Sequence, residues 1–266
     1  MDQAERWAEL LDLYPDFVKP VPSFALPEGL PARVDATDDI EALADAMRTE
    51  WDLGLNPVHD MIDTLESKGV MIISTAVEAK KKFDGLAGSI GDTPVVVVSS
   101  HQPGDRQRFT LAHELGHLVL HDRLPEDMDE EKACNQFAGA FLFPKRALLQ
   151  HIGENRRAIE PQELYMLKHE FGLSMMATLV RAAQCGVISD GLKTKYFMQF
   201  SKLGWRTAEP GTPYPNEETH LFKQLVYRAL GEEYIGESKA AELIGMSLSA
   251  FHKERKLEAV GAATYQ

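Results

Sequence analysis

Apolar positions change their spacing twice along this chain. From Asp39 to Gly69 they recur at helical intervals, so the spacing predicts one helix through Trp51 and a second opened by Pro57 and stopped at Gly69. Between residues 70 and 100 they run together instead. VMIIST, DGLAGSIG and TPVVVVSS are short, mostly β-branched stretches separated by turn residues, which predicts a sheet of three strands. Pro103-Gly104 ends that region and helical spacing returns. Asp105 is the expected N-cap of a helix reaching about His121, and a second helix runs from about Met128 to Leu142, before Pro144. Residues 145–205 are predicted helical, with breaks near Glu160, Gly172 and Gly186. The pattern as a whole is α+β: mostly helical, with a small three-stranded sheet packed on the helix over 105–121.

Two proline-rich stretches punctuate it. Residues 15–37 contain five prolines after a short helix over 1–14, and AEPGTPYPNEE covers 208–218. They divide the chain into an N-terminal helix and linker (1–37), a central domain (38–207) and a linker with a helical tail (208–266). Within the tail, residues 236–256 contain a short apolar helix, a glycine-containing turn and a second helix start, which resembles half of a helix-turn-helix unit.

Composition narrows the function. A formal charge of −13 over 266 residues repels phosphate backbones, so direct nucleic-acid binding is disfavoured. The basic run His252-Lys253-Glu254-Arg255-Lys256 is the local exception, and packing of the tail on the central domain or on a partner is the expectation there. The two cysteines, Cys134 and Cys185, form no CxxC pair and suit a reducing compartment. The acidic N-terminus lacks the basic start and apolar run of a signal peptide, and no stretch approaches the roughly 20 apolar residues of a membrane span. A cytoplasmic protein is expected.

The chemistry is concentrated in RFTLAHELGHLVLH. Phe109, Ala112, Leu115 and Leu118 or Val119 keep a helical period through it. On that helix His113 and His117, four residues apart, share one face and can reach one metal ion. Glu114, beside the first histidine, can take a proton from water held at the ion. A catalytic site needs a third protein ligand and an open position. The next acidic cluster, Asp127, Asp129, Glu130 and Glu131, offers it, although acidic residues also gather at helix N-termini for electrostatic reasons alone. Zinc suits two imidazoles and a carboxylate, and manganese is possible. His121, one turn beyond His117, is expected to cap the helix end. Tyr165, His169 and Arg181 are more distant candidates for stabilising an oxyanion. Cys134, Met175 and Met176 are expected in the core.

HELGH followed by E-K-A-C-N-Q-F-A-G-A-F-L-F-P resembles the ImmA/IrrE family of metallopeptidases, as do the entry segment ADAMRTEWDLGLNPVHDMIDTLESKGVMIIS and the later SMMATLVRAAQCGVIS. The likeness covers roughly residues 38–205. It implies a zincin-like core and places Glu131 at the third ligand position, with Glu130 as runner-up. Asn135 is placed one turn later, where it would orient a ligand histidine. Cys134 departs from the family's usual alanine. The resemblance also implies a metal-dependent endopeptidase that cleaves a helix-turn-helix repressor, derepressing phage, mobile-element or stress genes. Ahead of residue 38 there is no room for such a domain, so the partner is expected in trans. The alternative is a metal-containing partner of a repressor or toxin–antitoxin system that acts by binding alone. An intact Glu114 favours the enzyme, because a binding module has no need of a base beside its ligands.

Overall fold

The computed structural model describes residues 3–75 and 85–257. Parts of three predicted elements lie outside them: Met1 and Asp2 of the first helix, Asp84 of the second strand, and residues 258–266 of the tail. The described residues form twelve helices and one three-stranded sheet, an α+β fold. β1 (Met71–Thr75) pairs in parallel with the central β3 (Thr93–Ser99), and β2 (Gly85–Ile90) pairs antiparallel on the other side of β3. Gly91 and Asp92 make the two-residue turn between β2 and β3, and Gly91 supplies the positive φ that such a turn needs.

Side-chain alternation divides the sheet between two cores. Ile72, Val96 and Val98 face α2 (Thr37–Glu50), α3 (Met61–Ser67), α4 (Gly104–Leu120) and α5 (Glu130–Leu142), joined by α6 (Lys145–Ile152), α7 (Pro161–Phe171), α8 (Met175–Gln184) and α9 (Asp190–Lys202). Met71, Ile73 and Val95 face the opposite way. There they meet α1 (Gln3–Asp12), α10 (Leu221–Gly231), α11 (Glu237–Ile244) and α12 (Leu248–Arg255). The consecutive apolar residues of β1 and β3 are therefore a consequence of burial on both faces. The first and last described helices both contribute to this second core. Trp7 packs edge-on against Phe222, and the Tyr14 hydroxyl donates to the Leu225 carbonyl at 2.7 Å.

The helix starts differ from expectation in two places. The site helix begins at Gly104, with Pro103 as its N-cap and Asp105 inside the first turn. Asp105 is drawn away from capping because its carboxylate faces Lys168 Nζ at 3.1 Å. α3 begins at Met61, not at Pro57. Asp60 is its N-cap, accepting from Asp63 N at 2.8 Å, and the Glu217 carboxylate accepts from Met61 N and Ile62 N at 2.8 and 3.1 Å. The breaks expected near Glu160, Gly172 and Gly186 fall between α6 and α9, with a further one at Gly153.

The stretch over 208–218 is tied down along its length. Glu209 accepts from Lys168 Nζ at 2.8 Å and from the first amides of α8, Met175 N and Met176 N, at 3.1 and 3.2 Å. Glu217 pairs with the fully buried Arg108 of α4 while it caps α3. Each glutamate thus satisfies orphan helix amides and a buried cation at once. Gly104 permits the close approach, since a Cβ there would stand 1.9 Å from the Pro215 carbonyl oxygen. Among the described residues no helix is long and apolar enough to cross a membrane.

Glu66, on α3, carries a testable cost. It is 5% exposed, and burial pushes its carboxyl up to about 7; Thr219 opposes the shift and Asp63 and Asp60 add to it. Folding therefore favours the protonated form. The penalty is absent below the ordinary value of 4.5, grows as pH rises to about 7 and is constant above. Glu66→Gln should raise stability at pH 8 by up to about 3 kcal/mol, at about 1.36 kcal/mol per pKa unit, and this gain should vanish near pH 4.5. Urea unfolding across that range checks it, and a gain independent of pH would refute it.

Candidate metal centre

Two helices build the site. α4 presents Arg106, Thr110, His113 and His117 at intervals of four, three and four, which puts them along one face. α5 crosses it and contributes Glu131 and Asn135, four residues apart, from its first turns. The crossing is close because residue 116 is glycine: a Cβ there would meet Cys134 Cα at 3.2 Å and Phe137 Cδ1 at 3.3 Å. Cys134 fills this contact. It is buried, and its thiol is pushed up to about 12 by burial first and then by Glu130, Glu131 and Glu114.

Hydrogen bonds fix the orientation of both imidazoles. His113 Nδ1 lies 3.2 Å from Asn135 Oδ1, and His117 Nδ1 lies 2.9 Å from Glu130 Oε1. Each of those oxygens can only accept, so in neutral rings each Nδ1 carries the proton and each Nε2 presents its lone pair. The two Nε2 atoms face one another at 3.1 Å. Glu131 Oε2 lies 3.4 Å from His113 Nε2, and its Oε1 lies 3.4 Å from His117 Nε2. Three electron-rich groups converging in this way repel unless a cation sits among them. Their spacing also fits one. A tetrahedral ion with nitrogen and oxygen bonds of about 2.0–2.1 Å has ligands about 3.3–3.4 Å apart. The donor atoms of His113, His117 and Glu131 lie within 4.8 Å of one another and could hold a metal.

These groups line a cleft of about 710 Å³, whose other wall is β2 at the sheet edge, through Gly85, Leu86 and Ala87. Glu114 is 8% exposed and points into the same cleft. A Cβ on Gly85 would stand 3.3 Å from Glu114 Oε1 and 2.4 Å from Thr110 Cγ2, so glycine here lets the strand lie against the helix.

The other sequence candidates lie elsewhere. Arg181 is buried, pairs with Glu41 and donates to the Phe143 carbonyl at 2.9 Å. Tyr165 and His169 pack edge-on against each other and away from the cleft, the Tyr165 hydroxyl accepting from Thr212 N at 3.2 Å. His121 is the C-cap residue of α4, and its side chain is exposed. Glu130, the runner-up ligand, meets the far nitrogen of His117 instead of the converging face. Sequence reasoning missed Arg106 and Thr110. The signal was present, since both continue the His113–His117 stripe toward the helix start.

Residues 65–183 match the model of the IrrE N-terminal-like domain, the Peptidase M78 family. The chain is similar to the radiation response metalloprotease IrrE of Deinococcus radiodurans, at 35% identity over 24% of this chain and 25% of that protein. It thus spans about a quarter of the length of the curated relative it matches.

Two outcomes follow from the geometry. In chelator competition, Glu131→Ala should weaken metal affinity by more than about 100-fold, whereas Glu130→Ala and Asn135→Ala, which touch only Nδ1 atoms, should each cost about 10–100-fold. The reverse order would move the ligand to Glu130. Gly116→Val should destabilise the fold by about 1–3 kcal/mol through overpacking against Cys134 and Phe137, read by urea unfolding. Unchanged stability would mean that the helices do not depend on this contact.

Proposed function

We propose that this chain, whose residues 65–183 match the IrrE N-terminal-like domain model, is a metal-dependent endopeptidase. His113, His117 and Glu131 hold the ion, and Glu114 is the general base. The observation that carries this reading is the pair of Nε2 lone pairs 3.1 Å apart, backed by the Glu131 carboxylate and sharing a cleft with Glu114. When bound, a divalent ion supplies Lewis acidity. Zinc fits two imidazoles and a carboxylate, with manganese as the alternative.

The chain's own groups do the rest. Asn135 and Glu130 hold the histidine rings in the tautomer that leaves Nε2 free. The Glu114 carboxylate takes a proton from the attacking water and returns it to the departing amine as the peptide bond breaks. β2 is an edge strand among the described residues and borders the cleft, where an extended segment of substrate can lie as an added strand.

The substrate we infer is a helix-turn-helix transcriptional repressor, met in the cytoplasm. Its support is the ImmA/IrrE resemblance, together with two free cysteines that suit a reducing compartment. Direct nucleic-acid binding remains disfavoured. His252 and Arg255 of the basic run are engaged by Glu237, and the tail packs on the sheet.

Glu114→Gln should keep the metal and lose at least about 100-fold in the rate of repressor cleavage, the lower end of what general acid–base catalysis contributes. The assay pairs the zinc- or manganese-loaded protein with candidate helix-turn-helix repressors, alongside metal analysis. Cleavage by this variant at the wild-type rate would remove Glu114 from the mechanism. Tight binding without cutting by the wild type would support the non-catalytic partner instead.

A further inference from the structure

A second cavity, of about 550 Å³, opens beside the metal cleft. Arg106 and Phe109 line both, so the two are neighbours along α4. The walls of the second are largely apolar: Phe109 from α4, Met176 and Ala177 from the start of α8, and Trp205 and Pro213 from the segment after α9. Among its charged lining residues, Lys168, Asp105 and Glu209 hold one another, and Arg106 and Arg206 also border the cavity. Lys168 Nζ lies 3.1 Å from Asp105 and 2.8 Å from Glu209, and all three side chains are nearly buried. An occupant therefore meets a largely apolar wall beside buried charges that are held to one another, which favours an apolar group.

We propose that this cavity is a specificity subsite that takes a large apolar side chain of the polypeptide substrate, two or three residues from the scissile bond. It rests on the peptidase reading above. The spacing comes from the helix. Phe109 and Arg106 precede His113 by four and seven residues, roughly 6 and 10 Å along the axis at 1.5 Å per residue. An extended peptide covers that distance in about two to three residues at 3.3 Å each. Adjacency to the cleft along one helix argues for a segment of the same substrate chain over a separate ligand. The cavity also exceeds one side chain in volume, leaving room for the backbone that carries it. Trp205 is half-buried and packs edge-on against Phe200 at 5.1 Å, so one wall is an aromatic face held in place from behind.

The test measures binding and cleavage separately. Metal-loaded Glu114→Gln protein is offered blocked decapeptides of randomised sequence with one fixed Phe, Leu or Ala. The Phe and Leu sets should bind at least about tenfold more tightly than the Ala set, as expected for burying such a side chain. Ala177→Trp, which projects a ring into the cavity from a half-buried position, should collapse that ratio to about one. Trp205→Ala, which removes a wall, should lower it as well. A ratio that survives Ala177→Trp, no preference for Phe or Leu, or no peptide binding at all would each overturn the subsite. So would a cavity that takes a small apolar dye but shows no peptide preference. Protein with Glu114 intact is run on the same peptides. If discrimination is present but no peptide is cut, the peptidase reading fails and the subsite stands. If peptides are cut without apolar preference, the subsite fails and the peptidase reading stands.

Discussion

Two helices that cross closely at a glycine, residue 116, bring the candidate metal centre together. His113 and His117 come from α4, and Glu131 and Asn135 from α5. A Cβ on Gly116 would reach 3.2 Å from the Cys134 backbone. An added Cβ would require its neighbours to yield by a few tenths of an ångström and a longer side chain by more, at the crossing that sets the 3.4 Å separations between the imidazoles and the Glu131 carboxylate. The glycine inside HELGH thus sets a distance between elements, which is why the histidines and the glutamate can meet although 14 residues separate His117 from Glu131.

A second constraint fixes where α4 sits. The chain over 208–218 crosses its N-terminal end and spends two glutamates there. Glu209 joins Lys168 to the first amides of α8, and Glu217 joins Arg108 to the first amides of α3. Buried cations are tolerated because each has a carboxylate partner, and buried carboxylates because helix amides complete their hydrogen bonding. The same crossing places Trp205 and Pro213 beside Phe109, so the segment that anchors the site helix also walls the apolar cavity next to the cleft.

Much of the fold was legible in the sequence because its signals are local. The strand runs, the breaks at Gly172 and Gly186, and the phase of the HELGH helix all depend on backbone preferences and side-chain period within a few residues. The two helix starts that differ did so through distant partners. Asp105 is claimed by Lys168, 63 positions later, and α3 starts at Met61, where Glu217 supplies part of the capping. The opposite core is a similar case. The VVVV run of β3 carries the mark of a strand buried on both faces, but nothing local says that α1 and α10–α12 are what cover it.

At the site itself, the sequence determined that His113 and His117 share a face, because four residues is close to one helical turn whatever surrounds the helix. It also placed Glu114 next to them. It left the neighbouring glutamates undivided, since Glu130 and Glu131 differ by only 100° of helix phase and a rule of spacing cannot say which turns toward another helix. Tertiary structure distributed them: Glu131 faces both Nε2 atoms, while Glu130 accepts from His117 Nδ1 on the far side of the ring. It also excluded Arg181, Tyr165 and His169 from the cleft and admitted Arg106, Thr110 and Gly85. The physical reason is the same in each case. Periodicity fixes directions about one helix axis, whereas a coordination sphere or a cleft depends on the distance and angle between axes, which packing and buried ion pairs set.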